Sequence, residues 1–71
     1  MKINGVIPQP TIDPAVFTLT PAVNPPESLM VFVNGVLQYQ GEDYELVQGR
    51  ITYLDVPPSA MEQRCWYETE G

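Results

Sequence analysis

The strongest pattern in the chain is the alternation of apolar side chains in the run LMVFV. Leu29, Val31 and Val33 lie on one side of an extended segment, and Met30 and Phe32 lie on the other. Period two among β-branched and aromatic residues predicts a β-strand. Because both sides are apolar, we expect a central strand that is covered on one face by this domain and on the other by something else.

Turn signals divide the rest of the chain into short extended segments. Asn34 and Gly35 suit a two-residue type I′ turn, in which both residues take positive φ, so Val36 and Leu37 are predicted to begin a returning strand. The other predicted strands are residues 2–7, 15–20, 44–47, 50–54 and 63–69, with one helical turn around residues 59–62. No helical period is sustained, so the predicted fold is all-β, a small antiparallel β-sandwich or open barrel with an extended N-terminal arm.

Prolines separate the N-terminal segment from the rest of the chain. Pro8, Pro10 and Pro14 limit backbone pairing, so residues 9–14 are predicted to lie outside any sheet. We expect residues 1–14 to form the arm and residues 15–71 to form a single β domain. The apolar side chains of the arm that favour burial are Ile3, Val6, Ile7 and Ile12. They are predicted to pack against a neighbouring subunit, by adding a strand to a sheet edge.

A domain this small is expected to gain stability from contact with other protein molecules. A chain of 71 residues is one domain near the lower limit for a single core, and it buries roughly 60% of the surface that its unfolded form exposes. Cys65 is the only cysteine and histidine is absent, so neither an intrachain disulfide nor a metal site has its usual ligands. We expect no metal, no cofactor, and homo-oligomerisation or docking on a larger surface.

The net charge of the chain makes some classes of binding partner unfavourable. Nine acidic against three basic residues give a net charge of −6, which disfavours nucleic acid and anionic membranes as partners. No apolar run approaches the length of a membrane span, and no signal-peptide pattern follows Met1 and Lys2. A free thiol suits synthesis in a reducing cytosol.

Candidate catalytic groups are few, and no enzyme activity is predicted. There is no histidine to act as a base near neutral pH and no glycine-rich phosphate loop. Cys65 is predicted to be an apolar core residue, with an intermolecular disulfide as the alternative. Glu42 and Asp43 share one turn, where Asp43 is expected to accept backbone N–H bonds, and calcium binding there is the weaker alternative.

Aromatic residues are the better guide to an interface. The rings expected in the core are Phe17, Phe32 and Tyr53. Trp66 and Arg64 share the side of the last strand opposite Cys65, and both residue types are enriched at the centres of protein interfaces. Tyr39, just beyond the hairpin, is also expected to be exposed. Arg64, Trp66 and Tyr39 are therefore candidate interface residues.

The order of the motifs carries a family resemblance. From the N-terminus they are Phe17-Thr18-Leu19, VFVNGVLQ at 31–38, GEDY at 41–44, GRITY at 49–53, Pro57-Pro58 and Trp66-Tyr67. This ordered series resembles a small β module of bacteriophage virion proteins of the tail-fibre, appendage and decoration type. Met61-Glu62 stands where that module usually has a Gly-Asp turn.

The resemblance implies a non-enzymatic structural protein of the virion, assembled in the host cytoplasm, with phage capsid or tail proteins as partners. Because the chain holds the module and little more, a head decoration protein is the leading expectation. A neck, tail or fibre-attachment adaptor is the first alternative. The second is a carbohydrate-binding adhesion module that uses Tyr39, Tyr44 and Trp66 as stacking platforms.

Overall fold

Eight short strands supply the regular structure of residues 1–70, the part of the chain that this computed structural model describes. They are β1 (Lys2–Val6), β2 (Gln9–Pro10), β3 (Val16–Thr18), β4 (Met30–Val33), β5 (Val36–Gln38), β6 (Tyr44–Val47), β7 (Arg50–Tyr53) and β8 (Gln63–Glu68). Single turns of 3₁₀ helix lie at Pro26–Ser28 and Ala60–Glu62, and residues 1–70 contain no α-helix.

The strands form two four-stranded sheets that pack against each other. The first sheet has the order β1-β8-β4-β5 and the second has the order β2-β3-β7-β6, and neighbouring strands are antiparallel throughout. Side chains that alternate along each strand meet between the sheets and form one core. The predicted all-β sandwich is confirmed.

Two glycine-containing turns set the register of the hairpins. Asn34 and Gly35 have φ values of 51° and 81° between β4 and β5, as the type I′ turn requires. Gln48 and Gly49 have φ values of 51° and 75° between β6 and β7. The predicted hairpin is confirmed, and β4 is a central strand of its sheet, as its pattern indicated.

The core lies between the sheets and takes side chains from both. Its buried members are Phe17, Leu19, Leu29, Val31, Tyr44, Ile51, Tyr53, Cys65 and Tyr67. The rings of Phe17 and Tyr53 meet edge to face with centroids 5.7 Å apart. The core predictions for Phe17, Tyr53 and Cys65 are confirmed.

A buried hydrogen bond joins the two sheets. Tyr53 Oη on β7 donates to Gln63 Oε1 on β8 at 2.6 Å, and Gln63 Nε2 donates to the carbonyl of Ser59 at 3.2 Å. Burial raises the pKa of the Tyr53 hydroxyl, so it stays a proton donor throughout the physiological range. Gln63 is fully buried, and these two bonds offset the desolvation of its amide.

The N-terminal segment is part of the sandwich. β1 pairs with β8 in the first sheet, and β2 pairs with β3 in the second, so the prediction that residues 9–14 lie outside any sheet is wrong for Gln9 and Pro10. Pro10 is tolerated because β2 is an edge strand with one unpaired side. Ile3 and Val6 pack against the core of their own chain, which corrects their assignment to an arm that reaches a neighbour.

The two ends of the described chain meet at the edge of the first sheet. The Met1 ammonium donates to the Thr69 carbonyl, and the Thr69 N–H donates to the Met1 carbonyl, both at 2.9 Å. These bonds extend the pairing of β1 with β8 by one residue.

Replacing Tyr53 by phenylalanine tests the inter-sheet bond. Tyr53→Phe leaves the buried Gln63 Oε1 without its donor, so we expect the free energy of unfolding in urea to fall by about 1–3 kcal/mol. Tyr39→Phe is the control, because Tyr39 is more than half exposed. This variant should change the free energy of unfolding by no more than about 0.5 kcal/mol. Equal losses in the two variants would contradict the role given to the bond.

Candidate functional site

The outward side of the first sheet is apolar at its centre. In the registers of β4 with its two neighbours, Met30 lies opposite Trp66, and Phe32 lies opposite both Arg64 and Leu37. Residues opposite each other point to the same side of a sheet, so these five form one surface, which we call the aromatic face. No segment of residues 1–70 packs over Met30 and Leu37, whose side chains remain 48% and 36% exposed.

Ring contacts hold the aromatic face in one arrangement. Phe32 and Trp66 meet edge to face, with centroids 5.2 Å apart and planes at 82°. The Trp66 ring lies over β1 at Gly5, where a bulge gives β1 one extra residue against β8 and where φ is +66°. A Cβ on Gly5 would lie 3.3 Å from Trp66 Cζ2. The expectation that Phe32 is a core residue is wrong, because Val31 takes the inward position next to it.

The outward side of the second sheet has the opposite character. We call it the polar face, and its paired residues are Gln9, Val16, Thr18, Glu45, Val47, Arg50 and Thr52. Val47 is 50% exposed at its margin, about the same as Met30 on the aromatic face. The sandwich therefore has one outer face suited to water and one suited to contact with protein.

The predicted interface residues fall in different places. Arg64 and Trp66 are brought together on the aromatic face, where Arg64 Nη1 donates to the carbonyls of Met61 at 2.9 Å and Gln63 at 2.7 Å. Tyr39 is exposed directly after β5, and extending the register by one residue puts it level with Met30.

The other predicted interface residues lie away from the aromatic face. Ile7 is partly exposed between β1 and β2, and Ile12 is fully exposed in the loop between β2 and β3. Met30, Phe32 and Leu37 were missing from the predicted set. The signal for Met30 and Phe32 was the apolar character of both sides of β4, and Leu37 lies opposite Phe32 on β5.

Basic charge collects near the aromatic face. Lys2 and Arg64, two of the three basic residues of the chain, lie on the outward side of the first sheet. Glu68 lies opposite Lys2. Most acidic residues lie outside the strands, so the outward side of the first sheet carries two basic groups and one acidic group in an otherwise acidic protein.

An acidic cleft of about 430 Å³ opens between the two sheets near Pro57 and Pro58. Its carboxylates belong to Asp43, Asp55 and Glu62. Nowhere in residues 1–70, this cleft included, do three or more Asp, Glu, Cys or His side chains converge as a metal ion would require.

Two of the carboxylates in this cleft have structural roles. Asp43 Oδ2 accepts the Tyr39 N–H at 2.8 Å, which confirms the predicted turn cap. The Glu62 carboxylate accepts bonds from Asn34 Nδ2 at 2.8 Å and from the Ser59 N–H at 3.0 Å. These bonds lower the pKa of Glu62, and the bond from Asn34 has the largest effect. They also connect the β4–β5 turn to the 3₁₀ turn before β8.

Two residues that could have served in chemistry or recognition are enclosed by the core. Cys65 is fully buried, and burial raises the pKa of its thiol to about 12. Tyr44 is buried as well, and burial raises the pKa of its hydroxyl. Its ring lies in the core between the sheets, so the expectation that Tyr44 is an exposed stacking platform is wrong.

Comparison with known proteins adds no relative. No protein-family model matches the chain, and neither a curated protein nor a solved structure matches it. Among residues 1–70, no helix has the length and apolar character needed to cross a membrane.

The raised pKa of Cys65 predicts a loss of stability in alkali. Between the ordinary thiol pKa of 9.0 and about 12, the unfolded chain releases a proton that the folded chain keeps. Stability is therefore full below pH 9 and falls as the pH rises, by about 1 kcal/mol between pH 8 and pH 10. Urea unfolding measures it, and Cys65→Ala should flatten the slope in this window. An unchanged slope would show that Cys65 is not the group responsible.

Substitution at Gly5 tests the contact below Trp66. Both Gly5→Ala and Gly49→Ala place a side chain at positive φ, which costs roughly 1–2 kcal/mol. Only Gly5→Ala adds a close contact with Trp66, since nothing lies within 4 Å of a Cβ on Gly49. Trp66 is the only tryptophan, so Gly5→Ala alone should shift the fluorescence emission. Identical spectra for the two variants would contradict this packing.

Proposed function

We propose that this chain is a non-enzymatic structural protein of a bacteriophage virion, a head decoration protein that attaches to the assembled capsid through the aromatic face. The observation that carries the docking proposal is the exposed apolar surface on the outward side of the first sheet. The phage assignment rests on the resemblance of the motif series from Phe17 to Tyr67.

The composition of the aromatic face supports a protein partner. Trp, Phe, Met and Arg are the residue types enriched at protein interfaces, and each occurs on this face. The Phe32 and Trp66 rings already hold each other edge to face, so docking would immobilise few further rotamers. The Arg64 guanidinium at the same surface offers donors to carboxylates or carbonyls of a partner.

The small size of the domain supports a protein that functions bound to another protein. A sandwich of 71 residues has one thin core, and its central strand β4 exposes a second apolar side that this core leaves uncovered. Covering that side with another protein would bury apolar surface at roughly 25 cal/mol per Å² before the cost of association is subtracted. The bound protein would therefore be more stable than the free one.

A pair of matched variants tests docking through the aromatic face. The protein is titrated onto particles produced by a phage from which its gene has been deleted, and the bound fraction is measured by sedimentation. We expect Leu37→Gln to weaken binding about five- to tenfold, because Leu37 contributes exposed apolar surface to the aromatic face. Val47→Gln, on the polar face, should bind as the unaltered protein does.

Location in the virion is tested by cryo-EM of particles from the phage that encodes the chain. A decoration protein gives density repeated over the capsid lattice, whereas a neck, tail or fibre-attachment adaptor gives density at one axis only. The absence of density for this protein from the virion would contradict the proposal. A glycan array tests the remaining alternative, a carbohydrate-binding adhesion module, which has lost Tyr44 as a stacking platform.

A further inference from the structure

The asparagines of this chain differ in the residue that follows them. The three pairs are Asn4-Gly5, Asn24-Pro25 and Asn34-Gly35. Asparagine is thermolabile because the next backbone nitrogen can attack its side-chain amide carbon, and a following glycine, which has no Cβ, hinders that attack least. Proline has no N–H proton to give up, so Asn24 does not react in this way. Two chemically equivalent pairs remain, and the fold places them in different surroundings.

The Asn4-Gly5 pair lies inside paired structure. The residues on either side of it, Ile3 and Val6, are both paired with β8. The Trp66 ring lies over Gly5, with Cζ2 3.3 Å from the position of an added Cβ. Attack by the Gly5 nitrogen would require β1 to separate from β8 and from this ring, so the free energy of local opening adds to the barrier.

The Asn34-Gly35 pair lies in an open turn. Both residues are exposed, and nothing lies within 4 Å of a Cβ placed on Gly35. The strand that follows, β5, has three residues and forms an edge of its sheet, so little structure opposes opening of the turn. The Asn34 side chain is held by an exposed bond from Nδ2 to Glu62 Oε2 at 2.8 Å, and exposed contacts with a charged group are weak.

We propose that Asn34 is a site of spontaneous deamidation, with water as the co-reactant, and that the fold protects Asn4. The Gly35 nitrogen bonds to Asn34 Cγ, the Cγ–Nδ2 bond breaks, and Nδ2 leaves as ammonia with the proton of the Gly35 N–H. Water then opens the cyclic imide. Cleavage at Cγ gives aspartate, whereas cleavage at the main-chain carbonyl gives isoaspartate, whose backbone continues through Cβ and Cγ. The reaction needs this chain alone and is independent of the virion assignment.

The carboxylate produced at position 34 faces an existing carboxylate. An oxygen in place of Asn34 Nδ2 would lie at the same short distance from Glu62 Oε2, so two acceptors of like charge would meet. Glu62 Oε1 accepts the Ser59 N–H at 3.0 Å and the Ser59 hydroxyl at 2.9 Å, and these bonds hold the Glu62 carboxylate at the turn. Aspartate tolerates positive φ as asparagine does, so charge repulsion is the main cost of the aspartate form.

The isoaspartate form also disturbs the pairing of β4 with β5. The two-residue turn aligns Val33 with Val36 and Phe32 with Leu37. An additional backbone atom in the turn no longer matches type I′ geometry. Deamidation therefore loosens the hairpin that carries Phe32 and Leu37 of the aromatic face, and the altered fraction grows with the age of the protein.

Peptide mapping by mass spectrometry tests the site on the purified chain, incubated at physiological temperature and pH. The acid form should accumulate at position 34 at least about tenfold faster than at position 4 of the same molecules. In guanidinium chloride the two rates should become similar, because both pairs then belong to an unfolded chain. Asn34→Gly keeps a dipeptide suited to a type I′ turn and should remove the acidic species that ion exchange separates.

A double-mutant cycle tests the facing charges. Asn34→Asp reproduces the aspartate product and should lower the equilibrium constant for folding, measured in urea, about threefold. In the Glu62→Gln background an amide replaces one of the two carboxylates, so most of this loss should disappear. Asn4→Asp is the matched control, and its effect should be the same with Glu62 as with Glu62→Gln.

Three results would overturn the proposal. They are equal rates at positions 4 and 34 in the folded protein, no acid form at position 34 although the unfolded chain produces it, and an equal loss from Asn34→Asp in both backgrounds. Faster conversion at position 34 together with relief by Glu62→Gln would support it. The rates are measured on the unaltered chain, so they decide the site even if a variant fails to fold.

Discussion

The structure depends on two adjacent strands, β4 and β8, that carry apolar or aromatic side chains on both faces. A chain of 71 residues can place only one further layer against them, and that layer, the second sheet, covers the inner side. Phe32 and Trp66 stay on the outer side, where they pack on each other and on β1 at Gly5. The exposed aromatic face is thus the outcome of having more apolar strand surface than one small core can enclose.

Polar groups specify how the two layers meet. Gln63 is fully buried in an apolar interior, and its amide has partners only when β7, β8 and the loop at Ser59 are in register. A sheet that slipped by one residue would leave that amide unsatisfied and turn every side chain of the strand to the opposite face. The same precision holds Trp66 outward and Cys65 inward on consecutive positions of β8.

Local signals in the sequence predicted most of the fold. Asn34 and Gly35 determine their turn through their own φ preferences, and alternation correctly separated Cys65 from Trp66. Phe32 was misplaced because a strand that is apolar on both sides does not reveal which side meets the other sheet. The pairing of Gln9 and Pro10 with β3 was missed because it depends on a contact distant from the local proline signal. Sequence therefore indicated that an uncovered surface exists, and tertiary packing decided which residues form it.

The paired ends of the chain bear on how such a unit can be used. Met1 and Thr69 already bond to each other in both directions, so residues 1 and 69 lie side by side at the edge of the first sheet. A domain with adjoining termini tolerates circular permutation and can be spliced into a surface loop of a host protein with little distortion of either fold. Genetic insertion of this sandwich into another protein would therefore display the aromatic face there while β1 stays paired with β8.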